Sequence, residues 1–125
     1  MEELLTMAAA QGDVQLVREF LENGANPNSS NSHGRTALQQ VMMMGSPQLA
    51  QLLIDHGADP TIPDPTTGTC PAHDAIREGF VDTLVVLIKG GASIDGPPDN
   101  FGQRPIDLAS PWVLEKLKAL GLAGN

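Results

Sequence analysis

Few side chains in this 125-residue chain could carry out acid-base, nucleophilic or metal chemistry. The candidates are His33, His56, His73 and the single cysteine, Cys70. Cys70 and His73 are three residues apart, but a thiol nucleophile also needs a group that orients its base, and none stands nearby. The histidine and cysteine spacing does not fit a zinc site, and the glycines form no phosphate loop. We therefore predict no enzyme, no metal site and no cofactor.

A binding site is indicated instead by charged residues around one aromatic residue. Asp74, Arg77 and Glu78 are spaced to share one helix face, Phe80 follows the next glycine, and Asp82 comes two residues later. In a purely structural interpretation the helix is solvated and Asp82 caps the next helix. In a functional interpretation the group is one charged patch with an aromatic anchor. We favour the second, because aromatic residues are only 3% of this chain.

Three successive methionines, Met42, Met43 and Met44, form a second candidate contact. A helix cannot bury three successive side chains on one face, so at least one of them points away from the core. Exposed methionine makes adaptable apolar contacts. Core packing and partner contact both remain open for this run.

The composition of the chain limits which partners it can bind and in which cellular compartment we expect it. Fifteen acidic residues against seven Lys and Arg give a net charge of −8, which repels nucleic acid and favours a basic protein surface. No apolar run approaches the length of a membrane span, and the acidic start does not resemble a secretion signal. A lone cysteine suits a reducing compartment. We expect a monomer of the cytoplasm and nucleus that binds neither nucleic acid nor membrane.

The elements that position these residues come from an internal repeat. The chain aligns with itself at a shift of 33 to 34 residues, and agreement at several independent positions makes chance a poor explanation. The aligned positions include Gly12, Gly45 and Gly79; Gly34, Gly68 and Gly102; and Leu16, Leu49 and Leu84.

Each repeat has the residues of two short helices and a turn-rich loop. Thr36 is placed to cap a first helix, and Pro71 and Pro105 stand at first helical positions, where proline is tolerated. We expect Gly45 and Gly79 to end first helices. Apolar residues three and four apart then predict a second helix. Such a unit cannot bury its apolar stripe alone, so neighbouring units must stack.

This unit of helix, turn, helix and hairpin resembles the ankyrin repeat. The segment from Cys70 to His73 matches the ankyrin Thr-Pro-Leu-His tetrapeptide, whose histidine hydrogen-bonds loop backbone, and we expect that structural role for His73. The resemblance implies an all-α ankyrin-repeat solenoid, and the last unit is about four residues short. We place one domain at 1–125, with units at about 3–33, 34–66, 67–98 and 99–121.

Three longer segments resemble one particular family of ankyrin-repeat proteins. Residues 8–12, 41–46 and 73–87 resemble the INK family of cyclin-D-dependent kinase inhibitors, in particular its four-repeat members. The resemblance implies an inhibitor that binds the kinase beside its ATP cleft, opposite the cyclin. It would twist the kinase lobes apart, weaken cyclin binding and arrest the cell cycle in the first gap phase. Asp74 would pair with a kinase arginine. The family's contact positions, carried onto matching residues, are Met42, Met43, Asp64, Asp74, Arg77, Phe80 and Asp82.

The chain also departs from the family pattern. Gln39 and Gln40 add one residue before the methionines, which we expect to lengthen the first helix there and to rotate Met42 and Met43. Asp13 stands where the family often has a basic residue. The alternative function is an ankyrin scaffold for a different protein partner, although the methionine run combined with the charged group favours the inhibitor.

Overall fold

The computed structural model describes residues 2–124, apart from the side chain of Glu2. Within them the chain forms seven α-helices, one 3-10 helix and a single isolated bridge between Ser30 and Thr36. The helices follow one another as pairs separated by loops, which confirms the prediction of an all-α repeat fold. In chain order they are α1 Glu2–Gln11, α2 Val14–Glu22, α3 Ala37–Val41, α4 Pro47–Asp55, α5 Pro71–Glu78, α6 Val81–Lys89, the 3-10 helix Pro105–Leu108 and α7 Pro111–Ala119.

The first helices of the last three pairs begin in the same way. The side chain three residues after the cap accepts a hydrogen bond from the backbone N–H of the cap residue, which satisfies one of the free donors at the helix start. Pro71 and Pro105 occupy the first helical turn, as predicted. The pairs are Gln39 with Thr36 at 2.9 Å, His73 with Cys70 at 3.0 Å and Asp107 with Arg104 at 2.8 Å.

Stacking of neighbouring pairs produces one continuous apolar core. Helix α1 packs on α3, α5 packs on the 3-10 helix, and α4, α6 and α7 pack on one another in sequence. Leu49 and Leu84, aligned by the repeat, are buried in this core, and Leu16 is half-buried against it. Within residues 2–124, no helix combines the length and apolar character needed to cross a membrane.

The second pair departs from the sequence prediction. Gly79 ends α5 in a left-handed conformation, as predicted, but α3 ends at Val41, so the prediction that Gly45 ends that helix is wrong. The backbone N–H groups of Met42, Met43 and Met44 each donate to the carbonyl three residues earlier, and this tighter pattern replaces the helix. With five residues, α3 is shorter than the eight-residue α5.

Hairpin loops join the pairs, and their tips are built around one polar side chain each. The side-chain oxygen of Asn31, Asp64 or Asp99 accepts backbone N–H groups of its own tip. Successive tips lie against each other: the backbone N–H of Asn100 donates to the carbonyl of Thr67 at 2.9 Å. The loops thus form a row beside the first helices.

The fourth pair has a short first helix. Its first helix is only the 3-10 turn Pro105–Leu108, and Ser110 begins α7 by accepting a hydrogen bond from the backbone N–H of Val113 at 3.2 Å. The backbone N–H of Ile106 donates to the carbonyl of Ile94 at 2.9 Å, which ties this turn to the loop after α6. Despite its shortened helix, the fourth pair keeps a complete hairpin before it.

Candidate functional site

A groove of about 500 Å³ runs between the row of hairpin tips and the first helices of the second to fourth pairs. Charged, polar and apolar side chains line it, so it can accept both a cationic and an apolar group. The structure brings five of the seven residues predicted as contacts to this groove. They are Met42, Met43, Asp64, Asp74 and Arg77.

The centre of the groove holds an ion pair on α5. Nη2 of Arg77 lies 2.8 Å from Oδ1 of Asp74, and Nε of Arg77 lies 3.4 Å from Oε1 of Glu78. The Asp74 side chain is only 13% exposed, whereas that of Arg77 is 49% exposed. Burial raises the pKa of Asp74, and the charge of Arg77 and its hydrogen bond offset only part of that effect. Asp74 is therefore a carboxylate that a further cation would stabilise.

Asp64 has a structural role that the sequence analysis missed. Its Oδ2 lies 2.6 Å from Nη1 of Arg35, and its Oδ1 accepts the backbone N–H of Thr66 at 2.8 Å. The Nε of Arg35 also donates to Gln40 at 2.9 Å. Asp64 is buried, so its carboxylate joins the second hairpin tip to the start of the second unit. The signal in the sequence was an arginine next to the tip glycine, 29 residues before the aspartate.

The methionine run divides between core and surface. Met42 is buried in the core, whereas Met43 is 71% exposed and lines the groove. Met44 is partly exposed, and its sulfur lies close to Gly12 of the first pair. The early end of α3 separates the three side chains, because the turn that follows points them in different directions. Met43 is the most exposed member of the run.

Phe80 and Asp82 lie in a second groove, of about 570 Å³, together with Trp112. They therefore do not line the groove of Asp74 and Arg77, with which the sequence analysis grouped them. Gly79 turns the chain between α5 and α6, so the residues after it leave the wall that α5 forms. Asp82 does not cap α6, because that helix begins at Val81 and Asp82 is an exposed residue of its first turn.

Phe80 is half-buried rather than fully exposed. Its ring lies where a β-carbon on Gly45 would sit, and the hydroxyl of Thr83 donates to the carbonyl of Gly45 at 2.5 Å. The aromatic anchor of the sequence prediction thus also joins the third pair to the second. Phe80 also lines the second groove.

Phe101 is an exposed groove residue that the sequence analysis did not single out. Its side chain is 75% exposed at the third hairpin tip, and it lines the same groove as Asp74 and Arg77. Phe101 precedes the tip glycine, as do His33 and Thr67 in the earlier tips. An aromatic residue at that repeat position was the signal that could have identified it.

His73 has the structural role that we predicted. Its Nδ1 accepts the backbone N–H of Cys70 at 3.0 Å, so its Nε2 carries the proton and donates to the carbonyl of Gln103 at 2.8 Å. Burial raises the pKa of the Cys70 thiol, and the nearby charge of Asp74 adds to this effect. A thiol in these surroundings resists ionisation. Across the described part of the chain, no three His, Cys, Asp or Glu residues are grouped to hold a metal ion.

The stacked helix pairs and the hairpin row define the class of protein. A profile described as ankyrin repeats, in three copies, matches residues 4–98. The structure and the profile together show an ankyrin-repeat protein, as predicted.

Curated relatives narrow the class further. The chain is 54% identical over 107 residues to "Cyclin-dependent kinase inhibitor 2A" of Monodelphis domestica, covering 86% of this chain and 61% of that protein. It is 56% identical to "Cyclin-dependent kinase 4 inhibitor B" of Mus musculus over 105 residues, covering 84% of this chain and 79% of the relative. The Homo sapiens protein of the same name is 56% identical over 108 residues, covering 86% and 77%. The chain belongs to the INK family of ankyrin-repeat cyclin-dependent kinase inhibitors.

Proposed function

We propose that this protein inhibits a cyclin-D-dependent protein kinase by direct binding and that it acts without catalysis or a cofactor. The names of its relatives support this proposal, since they are cyclin-dependent kinase inhibitors aligned over most of the chain. The observation that carries it is the groove, in which Asp74 and Arg77 lie beside the exposed Met43. Charged and apolar contacts of this kind are what a protein partner can use.

The electrostatics of the groove favour a basic partner surface. Four acidic side chains line it against two basic ones, and the whole chain carries a net charge of −8. We infer that a kinase arginine binds Asp74, either beside Arg77 or in its place. Such a cation would stabilise a carboxylate whose own burial is incompletely compensated. Complementary charge would also speed the encounter of the two proteins.

Phe80 and Asp82 would contact the kinase from the second groove. A partner that touches both grooves must span α5 and the turn at Gly79, so it covers the third unit from two sides. We propose that this arrangement holds the inhibitor beside the ATP cleft, opposite the cyclin. Binding there would twist the kinase lobes apart and weaken cyclin binding. The expected result is arrest in the first gap phase.

The proposal also includes the oligomeric state of the protein and its location in the cell. A monomer of the cytoplasm and nucleus, with no nucleic-acid or membrane partner, fits inhibition of a soluble kinase. The acidic net charge supports the absence of nucleic-acid binding. Sedimentation of the purified protein would test the monomer, and a second boundary at twice the mass would contradict it.

The test is a titration of the purified protein against a cyclin-D-dependent kinase, followed by an assay of kinase activity. Asp74→Ala and Phe80→Ala probe one groove each. Glu22→Ala is the matched control, since Glu22 is exposed on α2 and lines neither groove. Circular dichroism establishes that all four proteins fold. We expect the parent and the control to bind and inhibit, and the other two variants to bind more weakly. A folded parent that leaves the kinase unbound and active would refute the proposal.

A further inference from the structure

The third hairpin tip holds its backbone in one conformation. Oδ1 of Asp99 accepts the backbone N–H groups of Phe101 and Gln103, each at 2.9 Å, and Asp99 is itself buried. The side chain of Asn100 donates to the carbonyl of Thr66 at 3.1 Å, so this tip is fastened to the preceding one. The tip therefore presents Phe101 from a fixed position.

The side chain at that position is not used by the fold. Phe101 is 75% exposed, more than any other large apolar residue among the described ones, and it belongs neither to the core nor to the partly buried residues packed against it. An exposed aromatic ring that is held on a rigid backbone costs little conformational entropy when it binds. Such residues are typical hot spots of protein interfaces.

The position of Phe101 in the groove indicates which partner its ring would contact. It lines the same groove as Asp74, Arg77 and the exposed Met43, so a partner that reaches the ion pair of α5 also reaches the ring. Met43 and Phe101 belong to hairpin or turn segments of the second and fourth units, and the ion pair belongs to the third. The groove is thus continuous across three units, with apolar side chains on either side of the charges.

We propose that Phe101 anchors the kinase and that the binding surface extends onto the hairpin of the fourth unit. This inference rests on the proposed function and deepens it. The fourth unit has a shortened first helix, yet its hairpin is complete and is tied to α5 through His73 and Gln103. Its role in binding is therefore to present Phe101 to the partner. The partner segment that fits carries an apolar side chain and a basic one, since one groove is lined by both the exposed ring and the mostly buried Asp74 carboxylate.

The experiment compares kinase binding by the parent, Phe101→Ala, Phe101→Tyr, Asp74→Ala and Leu4→Ala. Leu4 is a matched control because it is an exposed apolar side chain on α1 that lines neither groove. We expect Phe101→Ala to weaken binding about tenfold or more, and Phe101→Tyr to retain most of it. Urea unfolding should show the same midpoint for Phe101→Ala and the parent, because an exposed ring adds little to stability.

A second measurement uses a photoreactive phenylalanine analogue in place of Phe101. Irradiation of the mixture should cross-link the inhibitor to the kinase, whereas the analogue at position 4 should not. Suppose that the parent and Leu4→Ala bind and that Asp74→Ala loses binding. If Phe101→Ala then binds like the parent and the analogue at position 101 forms no cross-link, the role of Phe101 is refuted and the proposed function stands. If the folded parent itself does not bind, the proposed function and the anchor both fall.

Discussion

The mostly buried Asp74 carboxylate and the half-exposed Arg77 guanidinium, 2.8 Å apart on α5, form an unequal pair. The arginine can turn toward solvent, but the carboxylate cannot leave the groove wall. Burial raises the pKa of Asp74 despite the charge of Arg77. The fold therefore tolerates a carboxylate that it does not fully compensate, which is typical of a residue kept for binding rather than for stability.

Replacing Asp74 by asparagine should separate binding from stability. Asparagine keeps the size of the side chain and removes the charge, so the free energy of unfolding should fall by no more than about 1 kcal/mol. Kinase binding should weaken by about 2 kcal/mol or more, because the partner cation loses its acceptor. Urea unfolding and a binding titration on the same preparation measure both quantities. A variant that binds as well as the parent would show that Asp74 is not a contact.

The stability of the parent relative to Asp74→Asn should depend on pH. A raised pKa means that the folded protein holds the Asp74 proton more tightly than the unfolded chain does. The parent should therefore gain stability relative to the variant as pH falls from the raised pKa toward the ordinary value of 3.8, and lose it as pH rises. Urea unfolding of both proteins between about pH 4 and pH 7 tests the sign. A difference that moves in the opposite direction would mean that the pair with Arg77 dominates.

His73 should tolerate glutamine better than leucine. In the second unit Gln39 occupies the corresponding place, accepts the N–H of Thr36 at 2.9 Å and donates to the carbonyl of Ile62 at 2.9 Å. His73→Leu would leave the Cys70 N–H without a partner and remove one of the two hydrogen bonds to the Gln103 carbonyl, at a cost of about 2 kcal/mol. We expect His73→Gln to lose less than half of that amount in thermal or urea unfolding. Equal losses for the two variants would contradict the shared role.

Gly45 should resist substitution more strongly than an open glycine of similar backbone conformation. Gly45 has φ +70° and Gly121 has φ +74°, so alanine is strained by about 1 kcal/mol at either position. At Gly45 the new β-carbon would also collide with the Phe80 ring, whereas nothing lies within 4 Å at Gly121. Gly45→Ala should therefore cost about 1–3 kcal/mol more than Gly121→Ala. Equal unfolding midpoints for the two variants would mean that the ring moves aside freely.

The repeat could be predicted because the residues that start and end its helices act locally. Pro71, Gly79 and the cap Thr36 act within a few residues of their position, so their effect follows from the sequence. The end of α3 could not be predicted in this way. It depends on whether each backbone N–H donates to the carbonyl three residues earlier, as in a 3-10 turn, or four residues earlier, as in an α-helix. The side chain of Gln39 also ties α3 to the carbonyl of Ile62, which is distant in sequence.

The candidate site was predictable by residue but not by arrangement. Asp74 and Arg77 are on one helix, and helical spacing alone places them together. Phe80 follows the left-handed turn at Gly79, and its ring packs against Gly45 of the preceding unit, a contact that spacing alone does not predict. Phe101 was missed because its exposure results from hydrogen bonds within the tip. Contacts between units, rather than patterns within one, account for these differences.

The most direct test of the central claim is the titration of a cyclin-D-dependent kinase with the folded parent protein and with Asp74→Ala, followed by the residual kinase activity. The account predicts that the parent binds and inhibits, and that the folded variant binds at least about 30-fold more weakly. If folded Asp74→Ala binds and inhibits as well as the parent, the account is contradicted. It is also contradicted if the folded parent does not bind the kinase.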